Sequence, residues 1–335
     1  MKKITSLLIL TFFITSCSSS QSNKTKQTSA IEYAKSITKE ELKEALYIYA
    51  SDDYEGRKTG AAGQKKAVEF IKNHYVSNNI PSPIAEGDYF QDIPEAYFNG
   101  RAKGDSENVM AYIKGTEKPD EIIIISAHLD HIGISGNGNI NNGADDDGSG
   151  TVAILEMAEA FKLAADKGHG PKRSILFLHV TGEEIGLLGS RYYTDVDPIF
   201  PLKNTVADLN IDMIGRVDEK HKDNRNYLYL IGSDKLSKEL HAVSEIVNQK
   251  YFNMTFDYTF NEDDDPNRFY FRSDHYNFAK QNVPVIFYFN GTHEDYHKHT
   301  DTPDKIEYDL LETRTRLIFH TAWELANREE RVKVD

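Results

Sequence analysis

The sequence has a single cysteine, Cys17, and few basic residues for its size. One cysteine allows no disulfide within the chain, so no covalent cross-link contributes to the fold. The 39 Lys and Arg residues are outnumbered by 53 Asp and Glu residues, which gives a formal net charge of -14. This balance argues against nucleic-acid binding, because contacts to phosphates need clustered Lys and Arg.

The apolar run at residues 6–15 is far shorter than the ~20 residues that a membrane-spanning helix needs. It follows Lys2 and Lys3 and ends at Ser16 and Cys17, which is the pattern of a signal peptide. Residues 14–17 resemble a bacterial lipobox, which predicts cleavage before Cys17 and lipidation of its thiol. A plain signal peptide with an incidental cysteine is the alternative. We expect an exported protein, lipid-anchored to the bacterial cell envelope at its periplasmic face or at the cell surface.

The sequence predicts three segments, of which only the last is a folded domain. Residues 1–16 form the signal peptide, residues 17–30 a lipidated flexible tether, and residues 31–335 one domain. A chain of 335 residues could hold two small domains, but no Pro/Ser-rich linker divides it. Its contents of 39% hydrophobic and 27% charged residues are typical of a globular protein.

Apolar runs of strand length alternate with helical patterns through most of the chain. Buried strands are predicted at residues 122–125, 174–180, 206–211, 228–231 and 285–289, and helices at 151–165, 185–193 and 236–249. Earlier in the chain we expect strands at 89–93 and 109–113, a helix at 64–76, and a helix that begins at a capping box, Thr38 to Glu41, and packs on the sheet edge. The pattern predicts an α/β/α sandwich, a mixed but mostly parallel sheet flanked by helices.

Residue types that bind metals follow three of these buried strands. His128, Asp130 and His131 come at the end of the first strand, and Asp145 to Asp147 lie in the loop beyond it. Glu183 and Glu184 follow the second strand and Asp212 follows the third. Ligands bind outside the carboxyl ends of the strands in open α/β sheets, so these side chains are candidates for one metal site.

Each candidate also has a structural explanation. His128 could be a hydrogen-bonded core histidine, and the Asp145 to Asp147 run could be a turn, a helix cap or a calcium loop, although the EF-hand spacing is absent. Glu183 and Glu184 could complement a helix dipole. Asp212 is harder to explain this way, because an unpaired buried carboxylate is costly. The remaining histidines of this region are expected at the surface or in supporting positions: His131, His179, His293 and His299.

Five motifs occur in a fixed order: His128-Leu129-Asp130, Gly143 to Gly150, Glu183-Glu184, Asn210 to Met213, and Tyr296-His297. In this order they resemble the co-catalytic zinc aminopeptidases of metallopeptidase family twenty-eight, clan MH. That family includes secreted bacterial leucine aminopeptidases and glutamate carboxypeptidase II. Residues 51–63 and 272–284 match as well, so the resemblance covers nearly all of the predicted domain.

The resemblance implies two zinc ions per chain and a role for each matched residue. His128 and Asp212 would hold one zinc, Glu184 and His297 would hold the other, and Asp146 would bridge both. Glu183 would be the general base and Tyr296 a donor to the developing oxyanion.

The same resemblance implies supporting roles around these ligands. Asp130 would orient His128 through the free ring N–H, Asp147 would be part of the scaffold, and the Asp146-Asp147 peptide bond would be cis. Arg272 and the loop Asn261 to Asn267 are expected at the rim of the substrate pocket.

The implied activity is that of a zinc peptidase, an aminopeptidase that acts on peptides. Cleavage from the carboxyl end or of dipeptides is an open alternative, which a basic residue near the second zinc would favour. A glutaminyl cyclase, which catalyses acyl transfer with one zinc, is a second alternative, although its tryptophan before the last His ligand is Tyr296 here. Trp323 is expected in the core. A non-catalytic surface lipoprotein that binds a partner is the third alternative.

Overall fold

The computed structural model describes residues 30–335 and contains one eight-stranded sheet. Its strands are β1 (Phe90–Ile93), β2 (Ser106–Ile113), β3 (Lys118–His128), β6 (Arg173–Val180), β7 (Thr205–Ile211), β8 (Tyr227–Ile231), β9 (Thr255–Asp257) and β10 (Val285–Phe289). A separate hairpin pairs β4 (Gly133–Ile134) with β5 (Ile140–Asn141). The order across the sheet is β1-β2-β6-β3-β7-β10-β8-β9.

The four central strands β6, β3, β7 and β10 are parallel to one another. Antiparallel pairs join β1 to β2, β2 to β6 and β10 to β8, while β9 pairs in parallel with β8. The predicted mixed, mostly parallel sheet is therefore confirmed. Because the central strands are parallel, their carboxyl ends meet at one edge, where open α/β sheets bind ligands.

Strand β3 is apolar throughout its centre because both faces of the sheet are covered. Ile123 and Ile125 belong to the large core on one face, and Ile122 and Ile124 belong to a smaller core on the other. All four side chains are buried. This two-sided burial explains a continuous run of isoleucine in place of alternation with polar residues.

Seven α-helices longer than five residues lie on the two faces of the sheet within the described chain. They are α1 (Lys39–Tyr49), α2 (Ala62–Ser77), α3 (Gly150–Asp166), α4 (Leu188–Asp195), α5 (Lys238–Tyr251), α6 (His275–Lys280) and α7 (Tyr308–Asn327). Helices α1, α2, α3, α5 and α7 contribute to the large core, which includes Trp323 as expected. Helices α4 and α6 cover the other face through Tyr193 and Phe278.

Two helix predictions differ from the structure. Helix α1 begins after the Thr38 cap as predicted, but it packs on helices α3 and α7 and not on the sheet edge. Its buried side chains include Leu42 and Leu46, which belong to the core between these helices. Helix α4 begins at Leu188, three residues later than predicted, because Gly186 and Leu187 have φ values of 111° and 58° that a helix does not allow.

The predictions for the N-terminal segment fall mostly outside the described residues. The signal peptide and the lipidated Cys17 lie in residues 1–29, before the described chain begins. Ala30, the predicted end of the tether, is already buried in the core. Between residues 30 and 335, none of the helices is both long enough and apolar enough to cross a membrane.

Candidate metal centre

Six predicted side chains converge at the carboxyl ends of the central strands. His128 ends β3, Glu183 and Glu184 follow β6, Asp212 follows β7, Asp146 precedes α3, and His297 lies in the loop after β10. The sheet order explains the convergence, since β6, β3, β7 and β10 are adjacent. Five of these side chains, all except Glu184, line one cleft with a volume of about 340 Å³.

Asp146 stands between two groups of side chains. Its Oδ1 is 3.2 Å from His128 Nε2, and its Oδ2 is 3.2 Å from His297 Nε2. His128 Nε2 also lies 3.6 Å from Asp212 Oδ1. On the other side, His297 Nε2 lies 3.3 Å from Glu184 Oε2. The pairing is the one implied by the resemblance, with Asp146 shared.

These distances suit metal ions held between the side chains. Ligand atoms about 2.0–2.2 Å from a tetrahedral zinc lie roughly 3.3–3.6 Å from one another. The buried Asp146 Oδ2 has no hydrogen-bond partner within residues 30–335, which leaves its lone pairs free for a cation. Imidazole nitrogens with carboxylate oxygens are donors that zinc prefers. The donor atoms of this cluster therefore fit zinc.

The charges of the cluster favour added positive charge. Against the lowering effect of burial, Glu183 and other carboxylates raise the pKa of His128 well above its ordinary value. Burial also lowers the pKa of His297, but Asp146 and Glu184 outweigh burial and raise this pKa to about 10. Burial raises the pKa of Glu183 well above its usual range; His128 opposes this rise and Glu184 reinforces it. Crowded carboxylates thus attract protons, and divalent cations would balance the same charge.

Asp130 supports the site through both its backbone and its side chain. The ring Nδ1–H of His128 donates to the backbone carbonyl of Asp130 at 3.0 Å, whereas the Asp130 carboxylate is 3.8 Å away. The contact of Asp130 with the ring N–H of His128 is therefore made by the backbone carbonyl. The carboxylate instead accepts from the Glu183 backbone N–H at 3.1 Å and the Thr59 hydroxyl at 2.6 Å. Asp130 thus positions a ligand and the predicted base.

Asp147 ties three segments together below the metal ligands. Its carboxylate accepts from the backbone N–H groups of His128, Gly150 and Met213 at 3.2, 2.9 and 3.1 Å. These bonds join the end of β3, the start of α3 and the end of β7. The predicted cis peptide bond between Asp146 and Asp147 is present.

Asp301 holds the segment that carries Asp146, a role that was not predicted from the sequence. Its buried carboxylate accepts from the backbone N–H groups of Asp145 and Asp146 at 3.0 to 3.1 Å. The Asp145 carboxylate in turn accepts from the Gly215 N–H at 2.6 Å and hydrogen-bonds His293 Nε2 at 3.1 Å. The segment that presents Asp146 is therefore fixed from two sides. The sequence places Asp301 close after the predicted ligand His297, but it does not show which backbone groups Asp301 contacts.

His131 lies beside two of the predicted ligands. It is buried, and its Nδ1 is 2.7 Å from Glu184 Oε1 and 3.8 Å from Asp146 Oδ2. It forms a group with these two carboxylates that could also hold a cation. The expectation of a surface or supporting position is correct for exposed His299, but His179 is buried in the sheet. The feature of the sequence that could have indicated this position is that His131 comes three residues after His128.

The early motif at residues 51–63 holds the loop that carries the site. The buried Arg57 guanidinium donates to the carbonyls of Leu129, Asn142 and Gly143 at 3.1, 2.6 and 2.8 Å. Gly56 has φ 65°, and a Cβ there would lie 2.3 Å from a backbone carbonyl of the same loop. Glycine is required at this point, because any side chain would separate the motif from the loop.

The comparisons with known proteins agree with this geometry. The sequence model described as Peptidase family M28 matches residues 108–322, well over half of the chain. The chain belongs to this family. Aminopeptidase YwaD of Bacillus subtilis is 30% identical over 185 residues, which are 50% of this chain and 38% of that protein. The matched part thus spans well under half of the relative's length.

Solved structures share the fold across most of the chain. The zinc aminopeptidase BSAP from Bacillus subtilis has a TM-score of 0.65 and 16% identity, and the match covers 89% of this chain and 98% of that one. The glutaminyl cyclase of Porphyromonas gingivalis has a TM-score of 0.66 and 16% identity, with coverage of 85% and 97%. At these identities the likeness shows a common fold and does not choose between the two reactions.

Proposed function

We propose that the protein is a di-zinc metallopeptidase that releases N-terminal residues from peptides. The observation that carries this proposal is the position of Asp146, whose two oxygens each face a different histidine at 3.2 Å. A carboxylate placed in this way is suited to bridge two cations about 3.5–4 Å apart. Membership of Peptidase family M28 supports hydrolysis, and the Bacillus subtilis relative is named an aminopeptidase.

The proposed ligands divide between two zinc positions. His128 and Asp212 would hold one ion, Glu184 and His297 the other, and Asp146 both. When bound, the zinc pair supplies Lewis acidity toward the scissile carbonyl and lowers the pKa of a water molecule toward neutrality. The side chains of the described residues transfer the protons and orient the substrate.

Glu183 is the proposed general base. It lines the cleft with its Oε2 4.0 Å from His128 Nε2, and its backbone N–H is held by Asp130. The Glu183 carboxylate takes a proton from the attacking water as the water oxygen bonds to the carbonyl carbon. It then gives this proton to the leaving amine as the C–N bond breaks.

Tyr296 is the proposed donor to the carbonyl oxygen. It lines the same cleft and its ring stacks on His297 at a centroid distance of 3.9 Å. Burial and the neighbouring Asp146 raise its pKa above the ordinary value of 10.0, so the phenol keeps its proton. A protonated phenol can donate to the oxygen as negative charge develops there.

The proposal places the protein outside the cytoplasm on a lipid anchor. It is supported by the Lys2-Lys3 pair, the apolar run and the lipobox-like residues 14–17. Peptides are then the expected substrates, and a membrane is the expected attachment.

Metal analysis combined with two activity assays tests the proposal. We expect two zinc ions per chain, release of p-nitroaniline from leucine p-nitroanilide, and loss of this activity on chelation with recovery on addition of zinc. Pyroglutamate formation from an N-terminal glutamine peptide without anilide hydrolysis would replace the proposal with a cyclase. Absence of both zinc and hydrolysis would instead indicate a binding protein.

A further inference from the structure

The cleft contains a cationic side chain that the proposed chemistry does not use. Arg272 lines it together with metal ligands and with Glu183, and it is the only lysine or arginine among the lining residues in the described chain. The rest of the lining is apolar or aromatic, as at Met213, Phe287 and Phe289. A permanent positive charge is therefore placed beside the reacting groups.

An aromatic platform holds the guanidinium. The Arg272 guanidinium carbon lies 4.8 Å from the centroid of the Phe269 ring. Phe269 is buried and packs against Phe260 and Phe289 at centroid distances of 4.7 and 5.0 Å. A guanidinium stacked on a fixed ring keeps its N–H groups directed outward in its plane, where they can meet a ligand.

The charge of Arg272 is not paired within residues 30–335. Other arginines of this chain reach carboxylates, as Arg216 reaches Asp295 at 3.1 Å and Arg225 reaches Glu307 at 2.6 Å. The side chain of Arg272 has the aromatic contact with Phe269 but neither an ion pair nor a hydrogen bond to the described residues. Its donors are therefore free for a group that enters the cleft.

The backbone next to Arg272 is tied to a proposed metal ligand. The hydroxyl of Ser273 donates to Asp212 Oδ2 at 2.7 Å and accepts from Asn210 Nδ2 at 2.8 Å. Arg272 also lines the same cleft as Asp212 and Tyr296. A substrate group that reaches Arg272 is thus close to the bond that is cut.

We infer that Arg272 recognises a carboxylate of the substrate near the scissile bond, an inference that rests on the proposed peptidase function. The guanidinium presents a fork of N–H donors that matches a carboxylate in a bidentate pair. The carboxylate has two possible sources, the side chain of an N-terminal Asp or Glu and the free carboxyl terminus of a dipeptide. Lysine and arginine side chains would be disfavoured at the same place by charge repulsion.

Two matched substrate pairs test the inference and separate the sources. The first pair is glutamyl and glutaminyl p-nitroanilide, and the second is Leu-Gly and Leu-Gly amide. For the protein as it exists, with its zinc, we expect kcat/KM to favour the acidic member of one pair by about tenfold. Preference in the first pair locates the carboxylate on the N-terminal side chain, and preference in the second locates it at the dipeptide terminus.

Two variants connect the preference to the guanidinium. Arg272→Gln should bring the acid-to-neutral ratio close to one, because the fork of charged donors is gone. Arg268→Gln is the matched control: Arg268 lies on the same loop over Phe271 at 4.9 Å but lines a different cavity, so the ratio should remain. Both arginines are exposed, so neither change removes core packing.

Three results would overturn the inference. The first is an acid-to-neutral ratio of kcat/KM near one in both pairs for the unmodified protein. The second is an acidic preference that persists in Arg272→Gln. The third is a loss of this preference in Arg268→Gln that equals the loss in Arg272→Gln. If the unmodified protein hydrolyses the neutral substrates with no acidic preference, the peptidase function stands and only the role of Arg272 fails. If it hydrolyses neither the anilides nor the dipeptides, the proposed function itself fails.

Discussion

At the scale of single residues, the adjacent carboxylates of Glu183 and Glu184 have different surroundings. Glu184 Oε2 lies 3.3 Å from His297 Nε2, within the distance expected between two ligands of one zinc. Glu183 lines the open cleft, and its nearest imidazole nitrogen is 4.0 Å away. We therefore propose that Glu184 binds metal and that Glu183 moves a proton.

The change Glu183→Gln tests this division. The amide keeps the size of the side chain but cannot accept the proton of water, so we expect kcat to fall by about 10²–10⁴-fold. Zinc content measured by elemental analysis should stay at the level of the unmodified protein. Glu44→Gln, at an exposed position of helix α1, serves as the control with unchanged kcat. Turnover of Glu183→Gln near that of the control would exclude Glu183 as the base.

The residues at strand ends could be predicted from sequence, whereas residues that act through long loops could not. His128 and Asp212 lie at the carboxyl ends of apolar runs, so the edge of the sheet where they lie could be predicted. Asp301 holds backbone N–H groups more than 150 positions earlier in the chain, and no local pattern indicates such a pairing. Asp130 was expected to orient His128 through the ring N–H, but the sequence does not show that the backbone carbonyl of Asp130 makes this contact.

At the scale of elements, helix α3 carries a buried carboxyl outside the metal centre. Glu156 is 5% exposed and lies on a helix whose other buried residues are mostly apolar. Burial, with Glu159 and Glu41 nearby, raises the pKa of Glu156 from 4.5 to about 9. The folded protein therefore binds a proton at neutral pH that the unfolded chain releases above pH 4.5.

This difference gives the stability a defined pH dependence. Since the folded state binds more protons between pH 4.5 and about 9, the Glu156 contribution to stability falls as pH rises through that range. Glu156→Gln removes this loss, so we expect it to raise the free energy of unfolding by about 1–3 kcal/mol at pH 8 and by little at pH 4. Urea unfolding at the two pH values measures the effect.

Glu324→Gln, at an exposed position of helix α7, is the control and should show the same free energy change at both pH values. A Glu156→Gln variant that is less stable than the unmodified protein at pH 8 would contradict the buried neutral carboxyl.

Helices and strands with strong periodicity could be predicted, but their order could not. Strand β3 and helix α3 were predicted within a few residues, since burial on both faces and an apolar stripe leave clear patterns. The hairpin β4-β5 and strand β9 have two or three residues each, too few for a period to show. The order of the sheet depends on pairs distant in sequence, such as Ile124 beside Asp208.

At the scale of the whole molecule, the fold brings together ligands that are far apart in the chain. His128 at the end of β3 and His297 in the loop after β10 lie near opposite ends of the family match, yet Asp146 lies 3.2 Å from both. The adjacent parallel strands β6, β3, β7 and β10 make this possible. Arg57 and Asp301 then fix the long loop against the sheet. We propose that this arrangement holds two metal ions across Asp146.

Anomalous diffraction from crystals of the zinc-loaded protein, recorded on both sides of the zinc absorption edge, tests that claim most directly. We predict two zinc peaks per chain about 3.5–4 Å apart. One should lie between His128 and Asp212 and the other between Glu184 and His297, with an Asp146 oxygen on each. A single peak, or two peaks that do not share Asp146, would contradict the account.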